Sequence, residues 1–320
     1  MLHWVQATQQ WLEQGQGERA LLFPLHPQYP RALFDLKDPP LVLFAQGNLD
    51  CLNRPAVAMV GSRSASRSGL ALAREFACEL ARQGWCITSG LAEGIDGASH
   101  AGALEGEGQT IGILGGAIDR LYPKSHQRLA DNMCSKGGLI LSEYPPGTDP
   151  RPAFFPQRNR LIAALSEATL VVEAAKRSGS LITARLASEL GRVVMALPGS
   201  IHSPHSKGCH DMIKKGALLV ETADEIGDEI RCSLPPDKIE LLKARNQKMT
   251  TPGDDAVCEL PPAFKTLLKQ LTGEPLHLDD LARQAQLAVD QALCCLTELE
   301  LEGWVINEPG NRWALAKKTP

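Results

Sequence analysis

From residue 56 onward the chain repeats one pattern: a short unbroken apolar run, a glycine-bearing turn, then a stretch with helical spacing. The runs are "AVAMV" (56–60), "WCITS" (85–89), "TIGIL" (110–114), "GLILS" (138–142), "ATLVVEA" (168–174) and "RVVMAL" (192–197). Apolar runs that do not alternate with polar residues suit strands buried on both faces. Strands alternating with helices predict an α/β fold with a doubly wound, mostly parallel sheet. The pattern ends near "ALLVETADEI" (217–226). Upstream, residues 1–22 read as one amphipathic helix carrying Trp4, Val5, Trp11 and Leu12, and the turn-rich segment 29–49 contains a strand-like "LVLFA". Residues 224–260 are rich in Asp, Glu, Lys, Pro and Gly and read as a linker. Beyond them come helices "AFKTLLKQL", "LDDLARQAQ" and "AVDQALCCLTELELEGW", then a two-stranded ribbon from "VIN" to "RWALA". That order is a winged-helix pattern. The expected division is therefore 1–50, 51–223, 224–260 and 261–320.

Composition narrows the class. A chain of 320 residues, 43% hydrophobic and 22% charged, has the length and balance for two globular domains. A net charge of −4 excludes a general polycation, so any nucleic-acid contact must rest on a local patch. Nine cysteines, an odd number with no C-x-x-C pair, sit partly in apolar runs and predict reduced thiols and a cytoplasmic setting. No signal peptide and no apolar run of about 18 residues is present, which argues against a membrane span.

Five glycine-bearing turns follow the predicted strands, where open parallel sheets bind ligands. They are Gly61-Ser62-Arg63-Ser64, Ser89-Gly90 with Gly94 to Gly97, Gly115-Gly116, Ser178-Gly179-Ser180, and Gly199 to Gly208. Small residues let backbone N–H groups approach an anion, and helix starts favour negative charge. Between 151 and 215 ten Lys/Arg stand against four Asp/Glu, a local excess of +6 that favours an anionic ligand. In "AFFPQRNRLIAALS" (153–166), Phe154 and Phe155 precede Arg158, Asn159 and Arg160. Aromatic faces beside guanidinium forks are what single-stranded nucleic acid needs, although either phenylalanine also reads as a core anchor for the next helix. No G-x-x-x-x-G-K-[ST] and no G-x-G-x-x-G after the first strand is present, so neither a P-loop ATPase nor a dinucleotide dehydrogenase is supported. His202, His205, Cys209 and His210 do not match a common closed zinc spacing. Asp96, His100, Glu143 and Glu173 show no nucleophile–base spacing and read as helix-start or loop-bonding groups. No cofactor is expected.

Taken in order, "MVGSRSAS", "SGLAEGIDGASHAGAL", "LGGAIDRLYP", "SEYPPGT", "FPQRNRLIAALS", "VVEAAKRSGSLITARLA", "PGSI" and "SKGCHDMIKKGA" resemble the DNA-processing protein A family, over about residues 24–222. The resemblance implies an extended Rossmann-like domain that binds single-stranded DNA in a basic pocket. It also implies a non-enzymatic recombination mediator that protects incoming strands during natural transformation. Such a mediator helps load RecA, displaces single-strand-binding protein and works as a homodimer. Carried over residue by residue, the pocket comprises Gly61, Ser62, Arg63, Phe155, Arg158, Asn159, Arg160, Ser178, Gly179, Ser180, Lys207 and Gly208. Two departures stand out: His210 occupies a position that is often Asn in the family, and only the helix-like residues 1–22 and a short turn precede the segment that starts at Tyr29-Pro30.

Two further readings compete. Nucleotide phosphoribohydrolase-like enzymes place glycine turns and acids at the same sheet edge, but their P-G-G-x-G-T-x-x-E signature is missing here. A scaffold that only binds RecA would need no pocket. In the winged-helix unit, residues 284–311 contain Asp290, Glu298, Glu300, Glu302 and Glu308 and no Lys or Arg, which repels phosphate and points to protein contact rather than duplex DNA.

Overall fold

The computed structural model describes residues 2–15, 18–232, 234–249, 267, 271, 276–285, 287–301, 305–308 and 312–315. The chain divides into two units, 1–247 and 248–320. In the first, β1 (Arg19–Leu22), β2 (Leu43–Gly47), β3 (Ala56–Gly61), β4 (Cys86–Ser89), β5 (Thr110–Ile113), β6 (Leu139–Ser142), β7 (Ala168–Glu173), β8 (Val193–Ala196) and β9 (Leu218–Leu219) form one sheet. Its nine strands run in the order β1-β2-β6-β5-β4-β3-β7-β8-β9. The β1–β2 and β2–β6 ladders are antiparallel, and all others are parallel. The doubly wound sheet expected from the apolar runs is therefore present.

Both faces of the sheet are covered. Along β3, Ala56, Ala58 and Val60 enter one core with residues of α5 (Phe154–Ala164), α6 (Ser180–Glu189) and α7 (Lys207–Ile213). Val57 and Met59 enter the opposite core with residues of α2 (Arg67–Arg82) and α3 (Ile95–Glu105). This alternation within an all-apolar strand is the reason β3 carries no polar side chain. At the other end of the second face, Trp11 of α1 (Leu2–Gln14) and Met133 of α4 (Gln127–Ser135) join Phe44 and Ile140.

Two boundaries differ from expectation. The first helix stops at Gln14, and residues 19–22 become β1. Within the expected N-terminal segment 1–50, β1 and β2 extend the sheet itself. Nor are residues 224–249 a linker: α8 (Ala223–Arg231) and α9 (Pro236–Met249) occupy them. Their charged composition hides a helical spacing of Ile226, Ile230, Leu234 and Leu242, all buried against the second core. Thr222 accepts a hydrogen bond from Glu225 N–H at 3.3 Å and caps α8, while Lys238 of α9 pairs with Glu167. Residues 250–260 of the expected linker lie outside the described residues.

In the second unit, α10 (Leu278–Ala285) and α11 (Val289–Leu301) precede β11 (Val305–Glu308) and β12 (Arg312–Leu315). The expected ribbon is three-stranded, in the order β10-β12-β11, because β10 (Leu276–His277) pairs with β12. Leu281, Ala292, Leu296, Leu299 and Trp313 share its core. The expected first helix (263–271) lies outside the described residues except for Leu267 and Leu271, which are buried.

One core group makes stability depend on pH. His100 of α3 is fully buried, and burial pushes its pKa down to about 3. Thr110 Oγ1 donates to the Ile87 carbonyl at 2.7 Å, so it accepts from His100 Nδ1–H at 2.6 Å; the lowered pKa keeps the ring neutral near pH 7. An unfolded histidine titrates near 6.5. The unfolded chain therefore binds more protons as pH falls from about 6.5 towards 3, and the fold loses stability in that window, by at most about 1.4 kcal/mol per pH unit. Urea midpoints measured across the window will fall less steeply for His100→Gln than for the parent chain. Parallel slopes would show that the ring is solvated.

Candidate functional site

Strand order reverses between β3 and β7: the chain winds outward from β3 through β4, β5 and β6 on one side and through β7, β8 and β9 on the other. Loops leaving adjacent strands in opposite directions open a crevice at their carboxyl ends. A cavity of about 690 Å³ lies there. Of the twelve predicted residues, Gly61, Arg63, Phe155, Arg158, Asn159, Ser178, Gly179 and Ser180 line it.

The mouth carries the aromatic and cationic groups. The Arg63 guanidinium lies over the Phe155 ring, 5.1 Å from its centroid, and Tyr122 meets the same ring at 5.7 Å and 59°. Arg63 is exposed and Phe155 half-buried, so the ring is not the core anchor that one reading of the sequence allowed. The loop bearing Arg63 is fixed from β7. Glu173 accepts hydrogen bonds from Ser66 N–H at 2.9 Å and from Ser66 Oγ. Its carbonyl accepts from Ser62 N–H at 2.7 Å. Gly94, at φ +80°, lets α3 begin directly against this loop, since a Cβ there would meet the Arg63 carbonyl oxygen at 2.7 Å.

The start of α6 also lines the cavity: Ser180 N–H donates to Ser178 Oγ at 3.4 Å and the Leu181 and Ile182 N–H groups to the Ser178 and Gly179 carbonyls, so this end offers the positive end of the helix dipole. Ser178 and Ser180 hydroxyls hydrogen-bond each other at 2.7 Å. Lys176 and Arg177, beside them in the turn, are exposed. Gly179 has right-handed helical torsions, and a Cβ there would meet nothing within 4 Å. The fold does not need glycine at this position, whereas a ligand backbone lying against it would.

Arg158 is at the floor and has a different part from the one its sequence position suggested. It is 4% exposed and donates to the Gly90 and Ile113 carbonyls, which end β4 and β5. Its Nη2 lies 3.9 Å from Asp96, and burial pushes the guanidinium pKa down to about 10, still charged at neutral pH. Burial also pushes the Asp96 carboxyl upward, against the attraction of Arg158 and of the Ala92 and Gly90 N–H groups. Arg158 Nε also donates to Asn159 Oδ1 at 3.1 Å, and Asn159 Nδ2 reaches the Gly179 carbonyl at 3.4 Å. Arg158 thus ties two strand ends, the start of α3 and, through Asn159, the α6 turn into one floor.

Four predicted residues are elsewhere. Arg160 points to the other side of α5 and pairs with Glu143. Ser62, in the loop from β3 to α2, is held by its N–H on the Glu173 carbonyl at the end of β7. Lys207 Nζ donates to the Ile201 carbonyl. Gly208 N–H donates to the Ala174 carbonyl at 2.7 Å, and a Cβ there would meet that oxygen at 2.6 Å, so glycine serves close packing of α7 on β7. Tyr122 and Asp96, both on the cavity wall, were not among the predicted pocket residues; "LGGAIDRLYP" held the only local signal for Tyr122. The histidine-rich loop does not gather its groups on one point: His205 Nδ1 lies 3.5 Å from Glu173, His210 Nε2 meets the Gly199 carbonyl at 3.0 Å, and Cys209 is buried.

Chemically the site can hold a planar ring against Phe155 and anionic groups against Arg63 and the α6 start. Its hydroxyls bond each other and Asp96 is engaged by Arg158 and backbone N–H groups, so the wall offers surface and charge rather than a poised nucleophile–base pair.

Residues 20–231 match the family model for DNA recombination-mediator protein A, and residues 251–311 match the DprA winged helix domain. The chain is similar to protein Smf of Escherichia coli, 41% identical over 301 residues, covering 94% of this chain and 78% of that protein. It is similar to the X-ray structure of DNA processing protein A from Streptococcus pneumoniae, with TM-score 0.63, 41% identity, and 69% and 78% of the two chains covered. A third similarity is to DNA processing protein A from Helicobacter pylori, whose structure concerns its single-stranded DNA binding mode, with TM-score 0.61, 30% identity, and 68% and 98% of the chains covered. With this site at the switch point of this sheet, the chain belongs to the DNA recombination-mediator protein A family.

Proposed function

We propose that this protein binds single-stranded DNA in the cavity at the carboxyl ends of β3 and β7. In this reading it protects incoming strands in the cytoplasm during natural transformation, displaces single-strand-binding protein and helps load RecA. It does so by binding rather than by turning over a substrate. The observation that carries the reading is the Arg63 guanidinium over Phe155 at the mouth of a cavity that the start of α6 also lines. That pairing stacks a base and neutralises its phosphate without reading its identity. The single-stranded DNA binding mode described for the Helicobacter pylori relative supports it. A homodimer fits the same view: β9 ends the sheet with Leu218 and Leu219 40% and 48% exposed, an unpaired apolar edge suited to a second copy.

Fluorescence-anisotropy titration of labelled oligo-dT, with duplex DNA as competitor, tests the proposal. The parent chain should prefer the single strand, and log K should fall with log salt by about 0.7 per phosphate held. Salt-independent affinity, or equal affinity for duplex, overturns it. Gly179→Ala should leave thermal stability unchanged or slightly raised, because its torsions suit alanine, yet weaken oligo-dT binding several-fold by placing a methyl group on the wall.

A further inference from the structure

We propose that Phe154 and Tyr144 form a second stacking platform for the same single strand, beyond the cavity and over the carboxyl end of β6. The inference rests on the strand-binding reading above and extends the path of the strand.

Consecutive helix residues point about 100° apart. In the first turn of α5, Phe155 therefore faces the cavity while Phe154 turns to the loop after β6. There it stacks on Tyr144 with centroids 4.0 Å apart and planes at 23°. The Arg151 guanidinium lies 5.9 Å from the Phe154 centroid. The cavity mouth holds Arg63, Phe155 and Tyr122, and this second group repeats the same three residue types.

A mere staple between loop and helix would bury its rings. Phe154 and Tyr144 are only half-buried, like Phe155, neither belongs to a core cluster, and Arg151 is exposed and in no ion pair among the described residues. The platform is also set in place. Tyr144 N–H donates to Ser142 Oγ at 3.0 Å, and Ser142 Oγ donates to the Gly116 carbonyl at 2.6 Å. Gly147 N–H donates to the Asp119 carboxylate at 3.0 Å, joining the loop after β6 to the loop after β5. A preordered surface loses little conformational freedom when a base lands on it.

Topology aligns the two groups. Arg63 follows β3, Tyr122 follows β5 and Tyr144 follows β6, and these strands lie in the order β6-β5-β4-β3. With neighbouring strands about 4.8 Å apart, a strand running across the carboxyl edge meets the cavity first and this platform next.

The test is the length dependence of oligo-dT affinity, from short oligomers that fill only the cavity to longer ones. For the parent chain, affinity should climb again once the oligomer reaches the platform. Phe154→Leu, which keeps apolar bulk, should lower the long-to-short affinity ratio about fivefold or more. Arg151→Ala, at an exposed position, should lower it too, and Tyr144→Phe, which keeps the ring, should preserve it. If Phe154→Leu and Arg151→Ala keep the parent ratio, the platform is only a staple and the inference is wrong. Equal losses at every length would also overturn it, since no separate subsite would exist. If the parent chain binds no oligomer of any length, it is the strand-binding reading that fails.

Discussion

Arg158→Glu is expected to destabilise the native fold severely, not merely to weaken ligand binding. Its guanidinium is buried and holds the Gly90 and Ile113 carbonyls, with Asp96 beside it. Removing one partner of a buried pair costs about 3–5 kcal/mol, because the remaining charge has neither water nor counter-charge. Glutamate adds a second carboxylate beside Asp96 and leaves two strand-end carbonyls without donors. A domain of this kind has total stability of about 5–15 kcal/mol, so the substitution consumes a large share of it. Circular dichroism and thermal melting will show a strongly lowered midpoint or no cooperative transition. Arg158→Ala with Asp96→Asn should recover part of the loss, since no uncompensated charge remains. An Arg158→Glu protein that melts like the parent would mean that Arg158 is solvated and free to meet a ligand.

Arg63→Glu is expected to behave in the opposite way. Arg63 is exposed and its guanidinium lies over the Phe155 ring, so the melting temperature should stay near that of the parent. Oligo-dT affinity should fall at least tenfold near 0.1 M salt, since one phosphate partner is lost and a repulsive charge is placed beside the stacking face. The salt slope should become shallower by about 0.7, one phosphate's worth. Arg63→Lys should retain the slope and lose part of the affinity, because an ammonium does not lie flat between ring and phosphate as a guanidinium does. Unchanged affinity and slope for Arg63→Glu would remove the cavity mouth from the binding surface.

These contrasting expectations concern two arginines that look alike in the sequence. Periodicity alone was enough for the parallel sheet: unbroken apolar runs can be satisfied only by burial on both faces, and β3 to β8 form where those runs lie. The winged-helix pattern and the glycine-bearing turns were legible for the same local reason, since apolar period and turn chemistry are written over a few residues. The helices at 223–249 were not, because their charged exposed faces dominate composition while one residue in three or four meets the core. The strand at 19–22 and β10 were missed because short strands exist through their pairing with β2 and β12, and pairing is a contact between distant residues. The site divides in the same way. That Gly61, Arg63, Phe155 and Ser178 to Ser180 belong together could be argued from turns after strands, for the doubly wound topology brings those turns to one edge. Whether a given arginine faces solvent or two strand-end carbonyls depends on the side of α5 it occupies and on what packs there. Residues 158 and 160 differ by two positions, about 200° around the helix, and long-range packing alone sends one to the cavity floor and the other to Glu143.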